Sequence, residues 1–205
     1  MIRVAFDIGG TFTDFVLQDD IKGFAYFLKL PSTPSDPGDA VLDGLQKLLG
    51  EARLENTSVN ALLHATTIAT NAILERKGAA TGLITTQGFR DILIIGRQKR
   101  YETYDLHINK PEPLIQRRHI TEVVERTDFD GSISNPLDIA SVDKAIGKML
   151  SSNLEAIAVS LIHSYANPKN ERLIRDRISE KAPNLSVSIS SEISPKFREY
   201  ERTNT

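Results

Sequence analysis

The residues best suited to chemistry lie near the start of the chain, in segment 7–14, which reads Asp-Ile-Gly-Gly-Thr-Phe-Thr-Asp. Glycines let a backbone approach a phosphate closely, and their N–H groups and neighbouring threonine hydroxyls donate hydrogen bonds to it. A carboxylate beside such a turn can hold Mg²⁺, directly or through water. The segment therefore predicts a nucleotide-phosphate site in which Asp7 is the metal-binding carboxylate. The predicted phosphate-binding residues are the glycines and threonines of the turn, Gly9, Gly10, Thr11 and Thr13.

The same segment also fits an ordinary hairpin turn, in which Asp7 is a solvated carboxylate at the end of a strand. It lacks the lysine and the spacing of a P-loop and has no G-x-G-x-x-G motif, and a strand pattern rather than a helix follows it. Asp14 is a second carboxylate, which repels phosphate unless a metal lies between them. Its role stays open between metal binding and packing or capping.

A second group of polar side chains, which could bind an anion or a polar carbonyl ligand, lies at the predicted start of a helix. Its members are Thr66, Thr67, Thr70 and Asn71. The alternative is that Thr66 caps the helix and the others pack or form hydrogen bonds within it. The neighbouring His64 is more simply a packing residue than a catalyst.

A third group is basic and aromatic and lies at the start of a loop predicted over residues 96–117. It comprises Arg97, Lys99, Arg100, Tyr101 and Tyr104. Guanidinium and ammonium groups in a loop can clamp a carboxylate or a phosphate, or they can simply be solvated.

The elements that must position these groups follow an α/β pattern. Alternating apolar residues predict strands over 2–8, 13–17 and 23–30, which form a three-stranded antiparallel meander. Capping and periodicity signals predict helices from Asp36-Pro37 to Gly50, after Asn135-Pro136 and after Asn167-Pro168. Further strands are predicted over 61–64, 80–85, 156–162 and 185–189, and a helix over 67–77 would make a β-α-β unit of residues 61–85. The stretch 31–34, rich in proline, is a predicted hinge.

Composition excludes several functional classes. The 205 residues carry 25 Lys and Arg against 27 Asp and Glu, so a net charge of -2 gives no electrostatic basis for binding nucleic acid or an anionic membrane. The chain has no cysteine, which excludes disulfides and thiolate metal sites. No apolar run approaches the roughly 20 residues that span a bilayer, and no signal-peptide pattern is present. A cytoplasmic location is expected.

Three segments together resemble the N-terminal domain of the hydantoinase A and 5-oxoprolinase family. They are Leu63–Gly78, which begins Leu-His-Ala-Thr-Thr, Thr85–Asp91 and Ile95–Gln98, and the resemblance covers almost the whole chain. The family pattern has His-Gly-Thr-Thr, whereas this sequence has Ala65 at the glycine position. A need for positive φ or close ligand approach at that glycine would put the roles of Thr66 and Thr67 in doubt.

The resemblance implies a ribonuclease H-like lobe of the actin and sugar-kinase ATPase superfamily, with an N-terminal antiparallel meander and β-α-β units. It implies ATP and Mg²⁺ as cofactors, with Asp7 in a catalytic role. Thr66, Thr67, Asn71 and Arg97 become candidates for binding substrate or an anion. The implied activity is ATP-dependent hydrolysis of a cyclic amide, such as a hydantoin or 5-oxoproline, with carboxylase subunits as relatives.

The resemblance also implies that residues 1–205 are one N-terminal domain of a longer protein, with a possible sub-boundary near 31–36. A hydantoinase B-type subunit or domain is the expected partner, and the isolated chain is expected to have little or no ATPase activity. Two other functions stay open: a small-molecule or sugar kinase of the same superfamily, and a non-catalytic module for assembly.

Overall fold

Two separate hydrophobic cores divide the chain, one within Met1–Gly78 and the other within Ala79–Thr205. The structure is a computed structural model that describes residues 1–33, 36–55, 58–99, 102–105, 107 and 110–205. The boundary between the units follows Gly78, so the stretch 31–36 lies inside the first unit. Pro34, part of the predicted hinge, lies outside the described residues, and the assignment of 1–205 as one domain of a longer protein stays a prediction.

The first unit is a four-stranded sheet with a long helix. Its elements are β1 (Ile2–Ile8), β2 (Phe12–Asp19), β3 (Phe24–Pro31), α1 (Pro37–Ala52), β4 (Ala61–Thr66) and α2 (Ile68–Leu74). The strand order is β3-β2-β1-β4, in which the first three strands are antiparallel and β4 is parallel to β1. The predicted antiparallel meander is therefore confirmed.

Period-2 alternation in the strands decides which face of this sheet is buried. Successive side chains of a strand point to opposite faces, so Val4, Phe6 and Ile8 share one face of β1. They are buried together with Phe15 and Leu17 of β2. Leu48 and Leu49 of α1 belong to the same cluster, so the helix covers this face. The residues between them, including Asp7, lie on the opposite face.

Helix α1 begins as its sequence predicts. The Asp36 side chain accepts a hydrogen bond from the Gly38 N–H, and Pro37 occupies the first turn. The helix continues past the predicted end at Gly50 to Ala52, because Arg53 rather than glycine adopts the left-handed conformation, with φ of 55°.

The second unit is built around a parallel sheet. Its strands are β5 (Thr81–Thr86), β6 (Ile120–Val123), β7 (Arg126–Thr127), β8 (Ile133–Asn135), β9 (Ala156–Ser160) and β10 (Ser186–Ile189). Its helices are α3 (Ile92–Ile95), α4 (Ile139–Leu150), α5 (Lys169–Lys181), α6 (Ser190–Ile193) and α7 (Glu199–Asn204), with a 3-10 turn at Arg117–His119. The strand order of the parallel sheet is β10-β9-β5-β6, while β7 and β8 form a separate antiparallel pair.

Two expectations about these elements are wrong in detail. The predicted β-α-β unit over 61–85 does not form, because β4 pairs with β1 whereas β5 pairs with β6 and β9. A β-α-β unit does form as β9-α5-β10 in the second unit. Helix α4 begins at Ile139 with Asp138 as its cap, and not with the predicted cap at Asn135-Pro136, because the Asp138 carboxylate accepts the N–H groups of its first turn.

The described residues of the predicted loop, between Gly96 and Gln116, contain no helix or strand. Within the part of the chain that the structure describes, no helix is both long enough and apolar enough to cross a membrane.

Buried charged groups tie the end of the second unit to its sheet. Glu171, which is fully buried, accepts hydrogen bonds from the Leu161 N–H, the Ser190 hydroxyl and the Ser191 N–H. Arg202, only 2% exposed, donates to the Ser190 hydroxyl and to the Leu161 carbonyl oxygen. Because both charges are satisfied by hydrogen bonds, α7 is held against the carboxyl ends of β9 and β10.

Two glycines of α1 give a matched test of this packing. A Cβ added at Gly44 would lie 2.1 Å from Cζ of the buried Phe15 ring, whereas a Cβ at Gly50 would meet nothing within 4 Å. We expect Gly44→Ala to lower the free energy of unfolding of the first unit by about 1–3 kcal/mol through overpacking. Gly50→Ala should raise it by roughly 0.5–1 kcal/mol because alanine favours helix. Urea unfolding measures both, and equal effects of the two substitutions would contradict the packing described.

The stability of the second unit should depend on the ionisation of Asp143. Hydrogen bonds from Arg177 and then from Lys181 hold the pKa of this carboxyl well below its usual range. A lowered pKa in the folded state stabilises the fold above the unfolded aspartate pKa of about 3.9, and this contribution is lost as pH falls below it. We expect Asp143→Asn to lower the Tm at pH 7, and the difference from the unchanged chain to shrink steadily below about pH 4.

Asp43→Asn is the control, since Asp43 forms only an exposed pair with Lys47 within α1 and should change the Tm little at any pH. A pH-independent effect of Asp143→Asn would show that the substitution acts through packing and not through the charge.

Candidate functional site

The predicted phosphate segment lies at the carboxyl end of β1, where the chain turns into β2. Asp7 stands directly opposite Asp14 on β2 and beside Ala65 on β4, so all three lie on the face of the sheet that α1 does not cover. The Oδ1 atom of Asp7 is buried and has no hydrogen-bond partner. A buried carboxylate oxygen without a donor is an available ligand atom for a cation.

Asp14 differs from Asp7 because it pairs with a cationic side chain. Lys29 lies opposite Asp14 on β3, and its Nζ is 2.7 Å from the Asp14 carboxylate. Both side chains are more than half exposed. This contact favours a packing role for Asp14 in the first unit and leaves Asp7 as the uncompensated carboxylate of the pair.

Side chains at the two glycines of the turn after β1 would crowd neighbouring atoms, and at Gly9 the crowded atom belongs to the backbone. The Gly9 N–H donates to the Phe12 carbonyl oxygen over 3.0 Å, and a Cβ at Gly9 would lie only 2.9 Å from that same oxygen. A Cβ at Gly10 would lie 3.0 Å from Nδ2 of Asn71. The glycines therefore allow a tight turn and bring the Asn71 amide close to its backbone.

Thr13 lies on the other face of the sheet from Asp7. Its side chain is fully buried, and its hydroxyl is 3.0 Å from the Ser32 hydroxyl, which donates to the Gly9 carbonyl oxygen over 2.8 Å. The Ser32 N–H also donates to the Thr11 carbonyl oxygen. The structure thus differs from the prediction that Thr13 contacts phosphate: a hydroxyl buried in this way holds the turn in place. The Thr11 side chain is exposed, as a phosphate contact requires.

The second predicted group lies next to the turn, in α2 and just before it. The Thr66 hydroxyl donates to the Ile8 carbonyl oxygen and accepts from the Ile68 N–H, so it is fully used in joining β1 to the start of the helix. The Thr67 N–H also donates to the Ile8 carbonyl oxygen, while its side chain is exposed. Asn71 is thus the member whose side chain would be the first contact of a Cβ at Gly10.

Ala65 occupies the position where the family pattern has glycine. It lies within β4, and its backbone is not among the residues with positive φ, so an alanine is accommodated without backbone strain. The neighbouring His64 stacks on Phe6 with ring centroids 4.7 Å apart, which is a packing contact.

The basic group belongs to the second unit. The Arg97 guanidinium donates to the Glu201 carboxylate over 2.6 Å, which ties the end of α3 to α7. Burial raises the pKa of Glu201, but a backbone hydrogen bond and the Arg97 contact outweigh it and lower the pKa overall. Tyr104 is almost fully exposed, while Arg100 and Tyr101 lie outside the described residues.

Two residues contribute to the site although nothing in the sequence around them indicates their partners. Ser32 lies 23 positions from Gly9 and Lys29 lies 15 positions from Asp14, and only the register of β2 with β3 brings each pair together. Among the described residues, no group of three or more His, Asp or Glu side chains is placed to bind a metal. In the described part of the first unit, Oδ1 of Asp7 is the one buried side-chain oxygen without a hydrogen-bond partner, and it lies beside the glycine turn.

The chain is similar to several known proteins over almost its whole length. The family model described as the hydantoinase/oxoprolinase N-terminal region matches residues 3–182. An uncharacterized protein of Methanocaldococcus jannaschii is 40% identical over 99% of this chain and 30% of its own length. The caprolactamase alpha subunit of Pseudomonas jessenii is 34% identical over 99% of this chain and 30% of its own length. For 5-oxoprolinase 1 of Arabidopsis thaliana the identity is 31%, over 98% of this chain and 18% of the relative.

Two solved structures share the fold. The nucleotide-free structure of acetone carboxylase, from a study of ATP-dependent acetone carboxylation, matches with a TM-score of 0.89 and 28% identity over 100% of this chain and 31% of that one. The ATP-dependent caprolactamase of Pseudomonas jessenii matches with a TM-score of 0.82 and 32% identity over 98% and 30%. The chain thus spans about a third or less of the proteins it matches.

The role of Ser32 can be tested directly. We expect Ser32→Ala to lower the free energy of unfolding of the first unit by about 1–3 kcal/mol, since it leaves the Thr13 hydroxyl buried without its partner. Amide exchange at Gly9 should also become faster. Thr11→Ala, which alters an exposed side chain of the same turn, is the control and should change neither quantity. Unaltered exchange at Gly9 in the Ser32 variant would show that this hydroxyl does not hold the turn.

Proposed function

The chain belongs to the hydantoinase/oxoprolinase N-terminal family, and from this premise we propose that it supplies the phosphate-binding and Mg²⁺-binding part of an enzyme that uses ATP to open a cyclic amide. The observation that carries the proposal is the buried, unpartnered Oδ1 of Asp7 beside the glycine turn. The names of two relatives support the substrate class, since caprolactam and 5-oxoproline are both cyclic amides.

The charges around Asp7 support a divalent cation. Asp7 and Asp14 are directly opposite each other, and like charges in that position destabilise a sheet. Lys29 offsets one negative charge, so a cation bound by Asp7 would offset the other. Magnesium is typically held by one or two carboxylates together with water and substrate phosphates, which fits a site with a single free carboxylate. In this proposal Asp7 is the catalytic, metal-binding residue.

The turn provides the phosphate donors. Because the Gly9 N–H is used within the turn, the N–H groups of Gly10 and Thr11 and the Thr11 hydroxyl are the groups left to bind phosphate oxygens. Thr13 acts indirectly, through Ser32 and the Gly9 carbonyl oxygen. Asn71 offers an amide beside Gly10, suited to a phosphate oxygen or to a substrate carbonyl.

When bound, Mg·ATP supplies a phosphoryl group whose transfer to the carbonyl oxygen of the amide makes the ring carbon electrophilic enough for water to attack. The chain's own contribution is to position and neutralise charge: Asp7 holds the metal, and the turn amides orient the phosphates. The proposed contribution of Arg97 is to bind a substrate carboxylate or phosphate, in place of its contact with Glu201. Thr67 is proposed as a further contact for an anion or substrate.

A second function has a specific observation in its favour. The higher of the two TM-scores belongs to acetone carboxylase, so ATP-dependent carboxylation of a ketone is the other candidate. An enzyme of either kind would bind ATP at the same phosphate site. A kinase of the same superfamily would instead release a phosphorylated product.

The whole protein is proposed to act with a partner and in the cytoplasm. The caprolactamase relative is named as a subunit, and a hydantoinase B-type chain or domain is the proposed partner here. Because the chain covers about a third or less of its relatives, we infer that it holds one side of the nucleotide site and turns over little ATP alone.

The test measures how Mg²⁺ changes ATP binding by the 205-residue chain. We expect Mg²⁺ to tighten ATP binding, and Asp7→Asn to abolish that gain and weaken Mg·ATP binding by about tenfold or more. Binding of metal-free ATP should not weaken, because the substitution removes a negative charge that repels phosphate. Asp14→Asn is the matched control and should stay within a few-fold of the unchanged chain. Calorimetric titration provides the readout, and a full Mg²⁺ effect in the Asp7 variant would refute the metal assignment.

A further inference from the structure

A cavity of about 520 Å³ lies in the second unit, lined by the end of α3, the stretch 110–114 and α7. Arg97 is one of its lining residues, and its side chain is 61% exposed, so a ligand in the cavity can reach the guanidinium. The apolar part of the wall is open to solvent as well, because Ile95 is 48% and Leu114 58% exposed. The cavity therefore offers an accessible charged group beside accessible apolar surface.

Arg97 already holds a carboxylate of the same chain. Its Nε and Nη2 both lie 2.6 Å from one oxygen of Glu201, a residue of α7 that does not itself line the cavity. Burial raises the pKa of Glu201, but a backbone hydrogen bond and Arg97 lower it overall, so the group is ionised at neutral pH. A carboxylate from outside the chain would form the same charge-assisted hydrogen bonds. Glu201 and such a ligand therefore compete for one edge of the guanidinium.

Positive charge predominates among the residues that line the cavity. Arg97, Lys99 and Lys110 are basic, and Glu112 is the one acidic residue of the lining. The Lys110 ammonium donates to the Ile95 carbonyl oxygen over 3.3 Å, which fixes it at the end of α3, close to the backbone that carries Arg97. The charge of the wall thus favours an anion.

The position of α7 does not depend on Glu201 alone. Arg202 of the same helix is 2% exposed and donates to the Ser190 hydroxyl and to the Leu161 carbonyl oxygen. Release of Glu201 from Arg97 gives up one ion pair whose arginine is well exposed, and such pairs contribute little to stability. A ligand can therefore displace Glu201 while the helix stays in place.

We propose that this cavity binds a small organic carboxylate and that Glu201 is an internal competitor for it. The ligand carboxylate takes over the hydrogen bonds from the Arg97 Nε–H and Nη2–H, and Glu201 is released to solvent. The organic part of the ligand lies against Ile95 and Leu114. The inference rests on the proposed role of Arg97 in binding substrate, and it adds that α7 lowers the affinity of that residue for its ligand.

A carboxylate fits this cavity better than a phosphate monoester. The group that now occupies Arg97 is itself a carboxylate, which shows that the guanidinium is placed for one. Glu201 stays beside the site on α7, and Glu112 lines the cavity, so a second negative charge on the ligand would meet two carboxylates. A singly charged ligand avoids most of this repulsion.

The test follows binding of 5-oxoproline to the 205-residue chain by NMR, at constant ionic strength and without ATP or Mg²⁺. 5-Oxoproline carries a carboxylate on its ring, and 5-oxoprolinamide, with the same ring and no charge, is the matched control ligand. We expect saturable shifts of the Gly96 amide and the Arg97 Nε–H with a Kd of about 10 mM for 5-oxoproline, and none with the amide. Methyl phosphate should bind more weakly than 5-oxoproline.

The deciding variant is Glu201→Gln, which should lower the Kd for 5-oxoproline about five- to tenfold. Removing the competitor makes Arg97 fully available, whereas a purely structural role of Glu201 would leave the Kd unchanged or raise it. Glu180→Gln removes an exposed carboxylate from α5 of the same unit and should not change the Kd. Arg97→Gln should abolish binding, also when it is combined with Glu201→Gln. An unshifted Leu161 amide signal in the Glu201 variant shows that α7 is still in place.

Four results would overturn the proposal. They are equal Kd values for the unchanged chain and Glu201→Gln, equal binding of 5-oxoprolinamide, tighter binding of methyl phosphate, and no saturable shift in Glu201→Gln up to about 50 mM 5-oxoproline. Because ATP and Mg²⁺ are absent, none of these results depends on Asp7. The calorimetric titration tests the metal site separately, so a failure of the Glu201 proposal and a failure of the phosphate-site proposal are distinguishable.

Discussion

Two carboxylates face each other across antiparallel strands where β1 ends. The repulsion between them is the constraint on which the site in the first unit depends. The β1–β2 register places Asp7 opposite Asp14, and the β2–β3 register places Lys29 opposite Asp14. One lysine cannot neutralise two carboxylates, and like charges directly opposite each other destabilise a sheet. A cation bound by Asp7 would offset the negative charge that Lys29 leaves uncompensated.

Side chains alternate along the strands of the same unit, so residues that pack in the core and residues that form the site lie on opposite faces of the sheet. Every second residue of β1 is buried against α1, so Phe6 and Ile8 enter the core while Asp7 between them cannot. The same alternation sends Thr13 to the core side, where it supports the turn through Ser32. A shift of β2 by one residue would exchange these roles, which is why the site depends on the register that the hydrophobic core enforces.

The sequence predicts what is local and misses what depends on register. Strands, the start of α1 and the glycine turn follow from alternation, capping and turn chemistry within a few residues. The place of β4 could not be predicted, because nothing near residues 61–66 indicates that the strand pairs with β1 and not with β5. Ser32 was missed for the same reason: a serine after a proline carries no local signal for a partner on a strand that is distant in sequence. Thr66 is the opposite case, because its capping role was one of two interpretations that the local sequence pattern allowed.

Buried polar atoms in the second unit show why an unpaired oxygen on Asp7 is informative. Glu125 accepts hydrogen bonds from Thr86, Thr127 and Asn170, just as Glu171 and Arg202 are fully partnered. In these three cases the fold satisfies the buried charged group with hydrogen bonds. Some buried polar atoms have no hydrogen-bond partner. One is Nδ1 of His163, which lies 3.8 Å from a Glu199 oxygen, so a small movement would pair it. Asp7 differs, because the residue directly opposite it on β2 is another carboxylate, and a ligand that brings positive charge would stabilise its unpaired oxygen.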